Sequence, residues 1–110
     1  FAFGLGSLKL KAGANPVRFV NQGKQDHVLG LLKVADGKTA DDALNWFKTH
    51  QGPPPVTFMG GPASGPGGRN SFVATLTKGT YVFYCPIPDQ NDPAHTPHFL
   101  KGMWTPVNVA

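Results

Sequence analysis

Short stretches of alternating apolar and polar residues dominate this chain. Phe1 to Leu10 alternates loosely and predicts a first strand. Val17-Arg18-Phe19-Val20-Asn21 follows Pro16 as a β-rich run, and Asn21-Gln22-Gly23 is a turn signal that ends it. Lys24-Gln25-Asp26-His27 leads into a second apolar run, Val28 to Val34, which stops at Asp36-Gly37. His27 therefore stands at the entrance to a strand. Further on, Phe72, Ala74 and Leu76 share one face of a strand. Beyond the turn at Lys78-Gly79, Tyr81, Phe83 and Cys85 share a face of the next. The chain closes on Thr105 to Val109, where Val107 and Val109 alternate with Asn108.

One segment changes period. Ala40, Ala43, Leu44 and Phe47 recur at helical spacing. Thr39 followed by Asp42 resembles a capping box, and Gly52-Pro53 is a stop, so a helix of about three turns is expected. It stands outside the strand pattern, as an insertion packed on the sheets. Gln51 to Asn70 reads as a long loop, since eleven of its twenty residues are Gly or Pro. A short extended piece is expected within it, from Val56 to Met59.

Composition agrees with this pattern. With 14 glycines and 11 prolines, the 110 residues favour short strands and turns over long helices. That length suits a single domain, residues 1–110, with its own core. Short strands, Gly/Pro turns and one helix describe an all-β protein, an antiparallel β-sandwich with one inserted α-helix. No apolar run is long enough for a membrane span. The opening Phe1-Ala2-Phe3-Gly4 lacks the basic region of a secretory signal, which suggests a mature protein or a domain cut from a longer one.

The net charge of +4 arises from ten Lys and Arg residues spread along the chain. No basic stretch with interleaved aromatics stands out, so nucleic-acid binding is not expected. A solvated basic surface is the simplest account, and such a surface also suits an acidic protein partner. A single cysteine excludes an intramolecular disulfide. Alone, Cys85 reads as a small buried hydrophobe on the face of Tyr81 and Phe83.

The residues downstream of Cys85 change that reading. His98 lies thirteen residues on, in a Pro-rich loop, and Met103 five further, just before the last strand. A thiolate, two imidazoles and a distant thioether are the donor set of electron-transfer copper sites, because soft and intermediate ligands serve both Cu(I) and Cu(II). Four histidines are available. His50 falls in the last turn of the expected helix, where its charge suits the helix dipole. His95 and His98 share one loop, and either could reach a metal. Met59 rivals Met103 as the sulfur donor, and Met103 could equally be a core residue. Asp41 and Asp42 sit at a helix start and Asp89 and Asp92 in a Pro-rich turn, neither pair with a partner suited to hydrolysis.

The run Leu76-Thr77-Lys78-Gly79-Thr80-Tyr81-Val82-Phe83-Tyr84-Cys85-Pro86 resembles the penultimate-strand motif of plastocyanins and related cupredoxins. His98 to Met103 followed by Pro106-Val107-Asn108-Val109 is similar to that family's ending, and Phe19-Val20-Asn21-Gln22-Gly23 with His27 to its first-histidine segment. The resemblance spans roughly residues 16–34 and 71–109, and azurin carries a helical flap at a corresponding place. It implies a Greek-key sandwich and one type 1 copper ion held by His27, Cys85 and His98, with Met103 as weak axial ligand. The His-to-Met spacing is what selects His98 over His95. It implies one-electron transfer between redox proteins rather than enzymatic catalysis, in a monomer outside the cytoplasm. Trp104 is expected to shield the site, and Tyr81 to form a tyrosine corner.

Two departures from the family pattern stand out. Its loop from Cys to the second His is usually much shorter than Pro86–Pro97, and Val28 replaces the Asn that often follows the first His and ties the ligand loops. The long His-bearing loop motivates a second reading, a copper carrier or sensor. A thiol enzyme using Cys85 is a third, to which a thiol among aromatics is poorly suited.

Overall fold

A computed structural model describes residue 3 and residues 10–109. The strand expected over Phe1–Leu10 lies outside the described residues except for Phe3 and Leu10, both of which pack against the core. The described chain is mostly β with one helix, and every strand pair is antiparallel. Strands β1 (Gly13–Val20) and β6 (Arg69–Leu76) form one ladder. A four-stranded sheet runs in the order β4 (Val56–Phe58), β3 (Gly30–Val34), β7 (Gly79–Tyr84), β8 (Trp104–Val109). A third, short ladder pairs β2 (His27–Val28) with β5 (Ala63–Ser64).

The alternation accounts for where each strand buries its side chains. On β1, Val17 and Phe19 point inward and Arg18 and Val20 outward. They meet Ala74 and Leu76 of β6 together with Leu31, Tyr81, Phe83 and Val109 of the larger sheet in one core. β3 does not alternate, because both its faces are covered. Leu31 joins that first core, while Leu32 and Val34 join Val82 and helix α1 (Ala40–Thr49) in a second. Each such fully buried side chain contributes about 1.5–3 kcal/mol.

The helix starts where the capping box places it. The Asp42 amide donates to Thr39 Oγ1 and the Thr39 amide to the Asp42 carboxylate. It ends at His50, in the left-handed conformation. Ala43 is buried on its inner face, and Phe47 reaches into the second core. No helix among the described residues is long and apolar enough to cross a membrane.

The expected strand Val28 to Val34 is divided. It breaks at Leu29, whose amide donates to the Pro62 carbonyl, so β2 and β3 pair with different partners. The Gly-rich loop supplies β5 to β2 and β4 to β3, and Gly61 is what lets it come so close. Its φ is +146°, and a Cβ there would run into the Leu29 carbonyl oxygen. Gly61→Ala is therefore expected to cost about 2–4 kcal/mol. In a domain of this size, thermal unfolding should show that as a fall in Tm of roughly 10–20 °C.

Tyr81 forms the expected corner. Its hydroxyl donates to the Thr77 carbonyl at 2.9 Å and accepts from the Thr77 amide at 3.0 Å.

Candidate metal centre

β7 and β8 are neighbours in the sheet, and the connection between them carries Cys85, His98 and Met103. Backbone hydrogen bonds tie these three together. The Cys85 amide donates to the Met103 carbonyl at 3.2 Å, and the Met103 amide to the His98 carbonyl at 3.1 Å. The Phe99 amide returns to the Cys85 carbonyl at 2.9 Å. A single 3-10 turn, His98–Lys101, closes on Gly102, whose φ of 117° lets the chain reverse into Met103.

His27 arrives from the other side, at the first residue of β2. The turn before it is organised by buried Asn21. The Asn21 side-chain amide donates to the Gln25 and Ser64 carbonyls, and its Oδ1 accepts from the Gly23 amide. Gly23 lies against the imidazole, and a Cβ there would stand 2.8 Å from His27 Nε2.

These segments bring His27, Cys85 and His98 together as a buried group that could hold a single metal ion. Cys85 and His98 are fully buried and His27 is 6 % exposed. The two Nδ1 atoms are 3.1 Å apart, with Cys85 Sγ 3.5 Å from that of His98 and 3.8 Å from that of His27. A triangle with those sides has a point about 2 Å from every corner, within the range of metal–imidazole and metal–thiolate bonds, about 2.0–2.3 Å. The spacing of the donors suits one ion.

Comparisons with family models, with curated proteins and with solved structures return no match.

Burial sets the protonation of the donors. Desolvation pushes the Cys85 thiol up, opposed by the backbone amides of Val28 and Ile87. The Val28 N–H points at Sγ from 3.4 Å, so Val28 links the two ligand segments through its backbone. Desolvation lowers both imidazoles, and for His98 the nearby His27 ring adds to the effect. They are thus held in the neutral form that binds metals.

The loop from Pro86 to Pro97 folds back on itself. Pro88 bridges to Pro97, and the Asp89 amide donates to the Thr96 carbonyl. Lys101 pairs with Asp89 at 2.8 Å and Asp92 at 3.0 Å. Lys101, then the Gln25 side chain and the Asn91 amide, hold the Asp89 carboxyl down at about 2. Gln25 spans the two ligand loops, since its Nε2 donates to Asp89 at 2.8 Å and its Oε1 lies 3.0 Å from His98 Nε2.

His95 is exposed, in a left-handed conformation at the loop's far bend, and stands apart from the buried triad. His50 stacks on Trp46 at the end of the helix. Met103 is buried, whereas Met59 is exposed with its amide on the Leu31 carbonyl. Trp104 packs against Phe47 and Phe99. Phe47 of the helix also meets Tyr84, so the residues following His98 and Met103 and the one preceding Cys85 all root in one aromatic cluster. Sequence reasoning overlooked Gln25, Asp89 and Lys101 as supports. The available signal was a lysine three residues after His98 with two aspartates earlier in the same connection.

Proposed function

We propose that this chain is a type 1 copper domain of the cupredoxin family that passes single electrons between redox proteins. The observation that carries this is the buried triad of one thiol and two neutral imidazoles, spaced to hold one ion about 2 Å from each donor. Copper bound there would supply a one-electron Cu(I)/Cu(II) couple. The chain's part is to keep the donors still. Cys85 sits at the end of a central strand, locked by its amide on Met103 and by the Val28 amide on its sulfur. Burial keeps water from the Cys85 sulfur, and Met103, tied by its backbone to both Cys85 and His98, would supply the weak fourth, thioether donor.

A Greek-key sandwich is the fold proposed with it. The first core draws side chains from both the β1–β6 ladder and the four-stranded sheet, which supports that arrangement. A monomer in an extracytoplasmic setting belongs to the same reading, as does an acidic redox partner, for which the net charge of +4 is suited. Full burial of Cys85 and a thiol pushed up by desolvation argue against a nucleophile. Copper carriage would require a donor that lets go, and the ties among the ligand loops oppose that.

Optical and EPR spectra of the copper-loaded protein test the reading. An intense visible thiolate-to-copper band that bleaches on mild reduction is expected. A colourless Cu(II) complex of the folded protein would sink it. Met103→Leu should keep the band and shift the reduction potential upward, with a loss of copper affinity below about tenfold, because a weak thioether donor would contribute little to binding. Potentiometry beside competitive copper titration checks both.

A further inference from the structure

Three groups around the Gln25 side chain define where one proton sits. Asp89 is a carboxylate paired with Lys101, so it only accepts, and Gln25 Nε2 donates to it at 2.8 Å. The Gln90 backbone amide only donates, and it reaches Gln25 Oε1 at 3.0 Å. The orientation of the Gln25 amide is thereby set from two sides. His98 Nε2 lies 3.0 Å from the same Oε1, and a carbonyl oxygen cannot donate. Nε2 must carry the hydrogen, which leaves the lone pair of Nδ1 facing Cys85 Sγ and His27 Nδ1.

Gln25 also belongs to the other ligand's loop. It stands two residues before His27, and its own carbonyl accepts from the Asn21 side chain at 2.8 Å. The His98 ring is thus held by the segment that delivers His27. For the imidazole to swing away, the Nε2–H bond to Gln25 would have to break inside a half-buried network.

We propose that Gln25 is a positioning residue that locks His98 as the Nε2–H tautomer with Nδ1 toward the metal, and thereby slows metal loss from the centre. This rests on the metal-site reading above. It accounts for what the long Pro86–Pro97 loop does: it brings Asp89 and Gln90 to the Gln25 amide. Outer partners of this kind typically govern 10–100-fold in metal affinity.

The test uses the intact chain and Gln25→Met, an unbranched side chain of similar length without the acceptor. In the metal-free wild type, imidazole 15N NMR should show His98 protonated at Nε2, with slow exchange of that proton. Gln25→Met, which offers Nε2–H no acceptor, should speed the exchange. Loaded with copper, Gln25→Met should give up the metal to a strong chelator roughly 10–100-fold faster than the wild type. An Nδ1–H tautomer at His98 in the metal-free wild type would overturn the proposal even if the variant were unstable. Equal release rates in two copper-binding proteins would also overturn it while leaving the copper reading intact. A wild type that binds no copper would instead remove the reading on which the proposal rests.

Discussion

Replacing Cys85 by Ser is expected to abolish the visible band of the copper-loaded protein and to lower copper affinity by more than about a hundredfold, the upper end for loss of an outer partner alone. The reason is chemical. In the proposed copper site the thiolate would be the soft donor of the triad and the source of the charge-transfer absorption, whereas a serine hydroxyl stays protonated and hard. The fold should survive the change. Ser is close in size, and the Val28 amide, now 3.4 Å from Sγ, offers the new oxygen a donor. Burying a hydroxyl with a partner costs the metal-free protein about 1 kcal/mol. Competitive titration with a Cu(I) chelator, alongside thermal unfolding of both metal-free proteins, separates loss of the site from loss of the fold. If Cys85→Ser retained wild-type affinity, the thiolate would not be a ligand and the copper reading would fail.

The same residues show how far the chain could be read before folding. The strand faces were legible because period-two alternation survives wherever one side is solvent. Val17 and Phe19 on β1, and Ala74 and Leu76 on β6, lie where their spacing places them. The helix was legible from its cap as much as from its period, through Thr39 and Asp42. The break at Leu29 was not, because it depends on a glycine 32 residues further on holding a positive-φ backbone against the Leu29 carbonyl. At the centre, Cys85 carried a strong local signal, an aromatic strand ending in a thiol. His98 and His95 could be ranked only by spacing, and burial sets them apart: one is fully enclosed beside Cys85 and the other exposed. Gln25 was invisible. A glutamine in a polar turn resembles any other, and its role arises only when Asp89 and His98 arrive from a loop more than sixty residues on.

Copper affinity should rise with pH at about tenfold per unit across the whole neutral range, and this slope reports how many protons the centre gives up. Burial lowers His27 and His98 from 6.5, so above that value the neutral form predominates in both. Burial raises Cys85 from 9.0, so below that value the thiol keeps its proton. Well inside the window from 6.5 to 9.0, then, the thiol proton is the main one to leave when metal binds, giving close to one proton per ion and a slope of about one decade per pH unit. Under more acid conditions the imidazoles also begin to charge, and the slope should steepen toward three decades per unit. The metal-free protein should show the complementary stability profile. For the imidazoles, the folded pKa is depressed, so the unfolded chain binds more protons below 6.5 and stability falls as pH drops. For the thiol, the folded pKa is raised, so the unfolded chain loses its proton first above 9.0 and stability falls as pH climbs. Proton release can be counted by calorimetric titration in buffers of different ionisation enthalpy, and the stability profile by urea unfolding at a series of pH values. A count near zero at pH 7.5 would mean that Cys85 is already a thiolate in the metal-free protein. The Val28 and Ile87 amides would then outweigh desolvation, and a buried anion would stand ready for the metal.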